Sequence, residues 1–187
     1  DISLARAAHS RKSIQEKSHG PENHVTAGQY LGEFVYGAID GTITTFAVVA
    51  GAAGASLSSG IVIILGFANL LADGFSMACG NFLSERAQRD YIEKERKREE
   101  WEIENVPEGE VEEIREIFRK KGFRGKDLER AVQIITSDKK VWVDVMMADE
   151  LGLLQSPKNP WKTAASTYFG FIIIGIIPLL AYVLSYF

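Results

Sequence analysis

Three long apolar runs and one charged block organise the chain. The first run is Gln29 to Ala55, the second lies within Ser56 to Ser84, and the third is Thr163 to Phe187. Each is longer than the ~20 residues a helix needs to cross a bilayer. "SLSSG" is a tight connection between the first two, and Pro178 predicts a kink in the third that neighbouring helices accommodate. Three such runs in a chain of 187 residues leave too little other sequence to cover them as soluble core helices. The pattern predicts an all-α membrane protein: three transmembrane helices, with a helical insert between the second and third.

The charged block is helical too. No Gly or Pro interrupts Phe82 to Val106, so the second span runs on into "ERAQRDYIEKERKREEWEIEN". Glu85–Arg89, Asp90–Lys94 and Glu93–Lys97 are acid-to-base pairs four residues apart, which support an exposed helix. Pro107 ends it. The next helix carries Val111, Ile114, Ile117 and Phe118 on one face and stops at Gly122. Lys126 to Thr136 follows with Leu128, Ala131, Val132 and Ile135 inward. A last helix starts near Ser137 or Asp138, a capping residue type, and ends at Gly152. Stripes this thin predict that the insert leans on the membrane helices, a second copy or bound metal. Ahead of the first span, "DISLARAAHSRKSIQEKSHGPENH" reads as a polar tail with a short helix near Ile2 to Ile14, without the apolar stretch of a cleavable signal. The expected division is a tail over 1–27, two spans over 28–85, a metal-binding insert over 86–160 and a third span over 161–187.

The net charge of −4 and the 46% apolar content conceal a sharp segregation. There is no Lys or Arg from Ser18 to Glu85, 17 of the 21 lie between Arg86 and Lys162, and no charge follows Lys162. Basic residues flank the spans at Arg6, Arg11, Lys12 and Lys17, at Arg86 and Arg89, and at Lys158 and Lys162, but not between the first two. The positive-inside rule therefore puts the tail and the insert in the cytosol. Cys79 is the single cysteine, so no intrachain disulfide forms, and it reads as a buried inert thiol. Gly37 and Gly41, Gly51 and Ala55, and Gly74 and Ala78 have the small-xxx-small spacing that lets helices approach closely.

Carboxylates inside the apolar runs need a reason, because a charged group facing lipid costs about 2.5–3.5 kcal/mol on insertion scales. Glu33 and Asp40 share a face of the first span, with Thr44 one turn on. In the second, Asn69, Asp73, Met77, Asn81 and Glu85 recur every four residues and form a polar stripe. Two such stripes suit a cation path; the simpler alternative is that Asn69 and Asp73 tie helices together. In the insert, Glu99 and Glu102 share a face, Glu110 and Glu113 repeat the spacing, and Met146 and Met147 precede Glu150. Hard carboxylates with soft thioethers suit borderline divalent transition metals. The competing reading is a solvated acidic face with methionine as gap-filler.

Three stretches resemble the vacuolar iron transporter family, which includes the yeast CCC-type vacuolar transporter and plant nodulin-like proteins. They are "AIDGTITTFAVVAG", "GFANLLADGFSMACGNFLS" and "VWVDVMMADELGL", within a similarity that runs from about His24 to the end. The resemblance implies a five-span protein working as a homodimer in the lipid bilayer. It implies export of Fe²⁺, and in several members Mn²⁺, from the cytosol in exchange for protons. It places metal capture on Glu99, Glu102, Glu110, Glu113, Met146, Met147 and Glu150, the transport path on Asp40 and Met77, and an entrance carboxylate at Glu33. Some relatives carry an acid where this chain has Asn69, while here the acid is Asp73, so proton coupling rests on Asp40, Asp73 or Glu33. Two spans of the expected five are absent after Phe187, which reads as a truncated chain or a short member. The membrane is vacuolar-type in a eukaryote or the plasma membrane in a prokaryote. No nucleic-acid partner, organic cofactor or covalent chemistry is expected. A membrane-anchored ferritin-like oxidase would need Glu-x-x-His pairs, but His9, His19 and His24 all lie in the tail. A membrane-anchored metal-binding or protein-interaction module without transport is the remaining alternative.

Overall fold

A computed structural model describes residues 26–153 and 158–186. The short helix expected near Ile2 to Ile14 lies outside the described residues. After a 3-10 turn at Thr26–Tyr30, the described residues form α1 (Leu31–Gly54), α2 (Ser59–Asn105), α3 (Pro107–Lys120), α4 (Gly125–Thr136) and α5 (Lys139–Val145). A π-helical turn at Met146–Glu150 follows, then α6 (Pro160–Gly175) and α7 (Ile177–Tyr186). Among the described residues two helices are long and apolar enough to cross a membrane, and a third span results if α6 and α7 are counted together across their 45° bend. Pro178 accounts for that bend: its ring clashes with the carbonyl four residues back and it has no N–H to donate.

The described residues divide into two compact units, one of 26–70 with 169–186 and one of 71–153 with 158–168. In the first, α1 packs on the C-terminal helices through backbone contact. A Cβ on Gly41 would lie 2.5 Å from the Phe171 carbonyl oxygen, and one on Gly175 would lie 2.9 Å from the Gly41 carbonyl. A Cβ on Gly170 would collide with the Phe34 carbonyl. Leu70, Phe171 and Leu179 fill this core. Ile39, Ile43, Phe46, Ile64 and Ile173 point outward, as lipid-facing residues do. The spacing argument fails at Gly51 and Ala55. Both are exposed, and nothing approaches a Cβ on Gly51, because they sit at the end of α1 where it turns away. That turn closes by hydrogen bonds from Leu57 N–H to Ala52 O (3.1 Å) and Ser56 N–H to Ala53 O (2.9 Å). Ser56 takes the left-handed position at φ 56°, where glycine is the usual occupant.

The second unit contains the C-terminal part of α2, whose 47 residues span roughly 70 Å at 1.5 Å per residue. α3 packs on α4, α4 on α5, and α3 on the π turn. Ile92, Ile103, Ile114, Leu128, Val132, Trp142, Val143, Met146 and Met147 make one buried cluster. Burying a side chain of this kind stabilises by about 1.5–3 kcal/mol. Asp138 caps α5 by accepting from Lys140 N–H (2.9 Å) and Val141 N–H (3.3 Å). Gly122 and Gly152 supply the positive φ values, 100° and 64°, that end α3 and the π turn. Of the expected ion pairs, Glu93–Lys97 forms at 2.7 Å, whereas Asp90 lies 3.8 Å from Arg86 behind it rather than pairing ahead with Lys94. Arg96 ties α2 to Asp144 of α5, and Arg115 ties α3 to Glu129 of α4.

Candidate functional site

Glu99 and Glu102 stand one turn apart near the end of α2. Glu110 sits in the first turn of α3, where Pro107 starts the helix and the helix dipole favours an acid. Glu99 is 1% exposed and Glu110 6% exposed. Glu99 Oε1 accepts a hydrogen bond from Arg98 at 3.4 Å, but Glu99 Oε2 and Glu110 Oε2 are buried without a hydrogen-bond partner. Buried carboxylate oxygens in that condition are costly unless something pairs with them.

The electrostatics bind five glutamates into one neighbourhood. Burial first, then Glu113, Glu99, Glu102 and Glu150, push Glu110 up to about 7. Partial desolvation, followed by Glu113 and Glu99, pushes Glu150 to about 7 against the opposing pull of Arg98. The Glu150 side chain is itself solvent-exposed, so screening tempers its shift. Glu99 is raised by burial and then by Glu102, with Arg98 opposing. Glu102 is half-buried and Glu113 exposed. Among the described residues no three His, Cys, Asp or Glu side chains already form a group able to hold a metal ion. The glutamates thus make a shared negative field, not a closed coordination shell.

Arg98 is the member that the spacing of the acids does not announce. Its guanidinium reaches Glu95 at 3.0 Å, Glu99 at 3.4 Å and Glu102 at 3.6 Å. The signal is present in the sequence as acids three before, one after and four after a single arginine.

Met146 and Met147 are 0% and 3% exposed and belong to the core cluster. A regular α-helix turns consecutive residues about 100° apart. The π turn widens the helix here, with Leu151 N–H donating to Met146 O at 3.2 Å and Leu153 N–H to Met147 O at 2.7 Å. Both thioethers are thereby held inside, and Glu150 ends the same turn. Such π turns occur often at functional sites.

The membrane stripe divides between the units. In the first unit, Glu33 and Asp40 are half-buried on α1. Asn69 donates to Thr44 Oγ1 at 3.3 Å and to Thr45 Oγ1 at 3.4 Å, while Thr44 donates back to the Asp40 carbonyl at 2.9 Å. Asn69 therefore ties α2 to α1. In the second unit, Asp73, Met77, Asn81 and Glu85 are all half-buried along one face of α2. Asn81 donates to Thr167 of α6 at 2.6 Å. Phe67, Leu71, Phe75 and Leu83 occupy other faces of α2 and are exposed.

A family model described as the VIT family matches residues 31–186. The chain belongs to the VIT family. It is 40% identical to a vacuolar iron transporter of Toxoplasma gondii, over 98% of this chain and 62% of that protein. A vacuolar iron transporter of Plasmodium falciparum is also 40% identical, over 98% of this chain and 68% of its own length. The identity to vacuolar iron transporter 1 of Arabidopsis thaliana is 36%, over 89% of this chain and 67% of that protein. This VIT-family chain thus spans about two thirds of the length of these relatives.

Proposed function

We propose that the chain is part of a transporter that moves divalent transition metal, Fe²⁺ or Mn²⁺, out of the cytosol in exchange for protons. The observation that carries this reading is the pair of buried, unpartnered oxygens Glu99 Oε2 and Glu110 Oε2 among five mutually repelling glutamates. A divalent cation supplies the charge that such oxygens lack. Glu99, Glu102, Glu110, Glu113 and Glu150 are its oxygen donors, and Met146 and Met147 add the soft sulfur that separates a transition metal from Mg²⁺ or Ca²⁺. The names of the relatives, vacuolar iron transporters, support iron as cargo.

In this account residues 86–160 form a cytoplasmic metal-capture domain, 28–85 and 161–187 lie in the membrane, and 1–27 is a cytosolic tail. The membrane is of vacuolar type, and the working unit is a homodimer. Captured ions move towards Glu33 and Glu85, with Asp40 and Met77 as stations along the spans and Asn69 as a tie that holds α1 to α2. Carboxylates bind metal only when deprotonated, so metal and proton compete for the same oxygens. That competition is the physical basis of exchange at Asp40, Asp73 or Glu33. No step needs covalent chemistry, which places the protein outside the enzymes.

Proteoliposomes carrying the full-length protein test the proposal. Asp40→Ala is expected to abolish Fe²⁺ or Mn²⁺ flux and the counter-flow of protons, with the protein still folded. Undiminished flux in Asp40→Ala would remove Asp40 from the path, whereas wild-type protein that carries no flux would leave the alternative, a membrane-anchored metal-binding or protein-interaction module that does not transport.

A further inference from the structure

A groove of about 470 Å³ opens beside α2 where its apolar segment gives way to charge, and the start of α6 closes its far side. Phe82, Ile92 and Trp161 supply its apolar lining; Arg86, Arg89 and Arg96 supply its positive charge. The Phe82 and Trp161 rings pack 4.6 Å apart. Its position along the sequence fixes its depth. Arg86 is the first basic residue after a stretch with none since Lys17, and no charge follows Lys162 in the third apolar run. The groove therefore sits at the polar–apolar transition of both helices, the level at which tryptophan anchors to headgroups.

The charges in the groove are unequally committed. Arg96 is engaged by Asp144 at 2.5 Å and Glu100 at 3.6 Å, so it is a fixed wall. Glu93, which also lines the groove, is held by Lys97 at 2.7 Å. Among the described residues Arg86 pairs with Asp90 alone, 3.8 Å away, and both side chains are about two-thirds exposed, so that pair is weak. Among the described residues Arg89 has no salt bridge or hydrogen bond, and its charge adds only a smaller pull on Glu93 after that of Lys97. The groove thus holds two loosely engaged guanidiniums above an apolar floor that continues into the exposed faces of Leu83 and Trp161.

We infer that this groove seats the phosphate of an anionic phospholipid, with Arg89 and Arg86 on the phosphate and an acyl chain along Leu83 and Trp161. Guanidinium matches phosphate geometry and charge, and basic pockets between membrane helices on the charged side hold anionic headgroups. The inference does not depend on metal transport.

Native mass spectrometry of the full chain, released from nanodiscs of equal phosphatidylglycerol and phosphatidylcholine, tests it. Wild type is expected to retain phosphatidylglycerol preferentially. Arg89→Gln and Arg86→Gln should each cut that retention about fivefold, the effect of one basic residue at an anionic surface. Asp90→Asn removes the competitor for Arg86 and should increase retention, which a variant that merely misfolds does not do. No lipid preference, or a preference unchanged in Arg86→Gln/Arg89→Gln, overturns the proposal. Displacement of the lipid by inorganic phosphate alone also overturns it, because the site would then read phosphate without the tail.

Discussion

Glu99 of α2 and Glu110 of α3 each bury one carboxylate oxygen without a hydrogen-bond partner, and the charge of Glu99 helps to raise the pKa of Glu110. The two acids come from separate helices joined by the single residue Val106. Helix α3 therefore starts by presenting its acid to the acids that end α2, an arrangement that destabilises the fold when all are ionised.

Stability without divalent metal should fall as pH rises. Glu110 and Glu150 have folded-state values of about 7 against 4.5 for the ordinary group. Between those values the folded chain binds more protons than the unfolded one, so its stabilisation is complete below about 4.5 and is lost as pH passes through 7. For the buried Glu110 the loss is up to about 3 kcal/mol. Chemical denaturation in chelator, followed by helical circular dichroism from pH 5 to 8, reads it. Glu110→Gln should flatten the profile, and a wild-type profile that rises with pH contradicts the account.

The glycines of the first unit should sort by backbone proximity. Gly41→Ala and Gly170→Ala place a methyl group against the carbonyls of Phe171 and Phe34 and should destabilise by about 1–3 kcal/mol. Gly51→Ala meets nothing within 4 Å and should be neutral or up to about 1 kcal/mol stabilising, through helix propensity. Thermal unfolding in detergent distinguishes the three.

The thioethers call for a substitution that spares the core. Met146→Ala removes a fully buried side chain and should cost about 2–5 kcal/mol whatever its role in binding. Leucine conserves the volume at a cost under about 1.5 kcal/mol. Met146→Leu with Met147→Leu should therefore keep the fold and lose the preference for Mn²⁺ or Fe²⁺ over Mg²⁺. Competition dialysis with these ions measures the preference, and a double variant that retains it shows that the methionines are only packing.

Much of the helical skeleton was legible because its signals are local. The absence of Gly and Pro from Phe82 to Val106 marks the continuous α2, Asp138 caps α5, Gly122 and Gly152 sit where φ turns positive, and Pro178 bends the last apolar run. What escaped depends on packing. The π turn at Met146–Glu150, with both methionines buried, has no signature in the helical period. Gly51 and Ala55 have the spacing of a helix contact but lie beyond the crossing, whereas Gly170 and Gly175 meet α1 directly and stand in a run read only as apolar. The acidic faces were visible as repeats of three residues. Arg98 among those acids is local to α2 and equally visible, at three before, one after and four after. That Glu99 and Glu110 each keep one oxygen without a partner follows from how the helices come together.

The most direct test of metal capture is Mn²⁺ binding to the purified chain by isothermal titration calorimetry at pH 6 and pH 8, with wild type beside Glu99→Gln/Glu110→Gln. Wild type should bind more tightly at pH 8, where Glu110 and Glu150 are deprotonated, and should release protons on binding. The double variant should lose more than about tenfold in affinity, since even partners that do not touch a metal cost 10–100-fold when removed. Equal affinity in the two proteins, or binding indifferent to pH, would contradict the assignment of these glutamates as the metal-capture site.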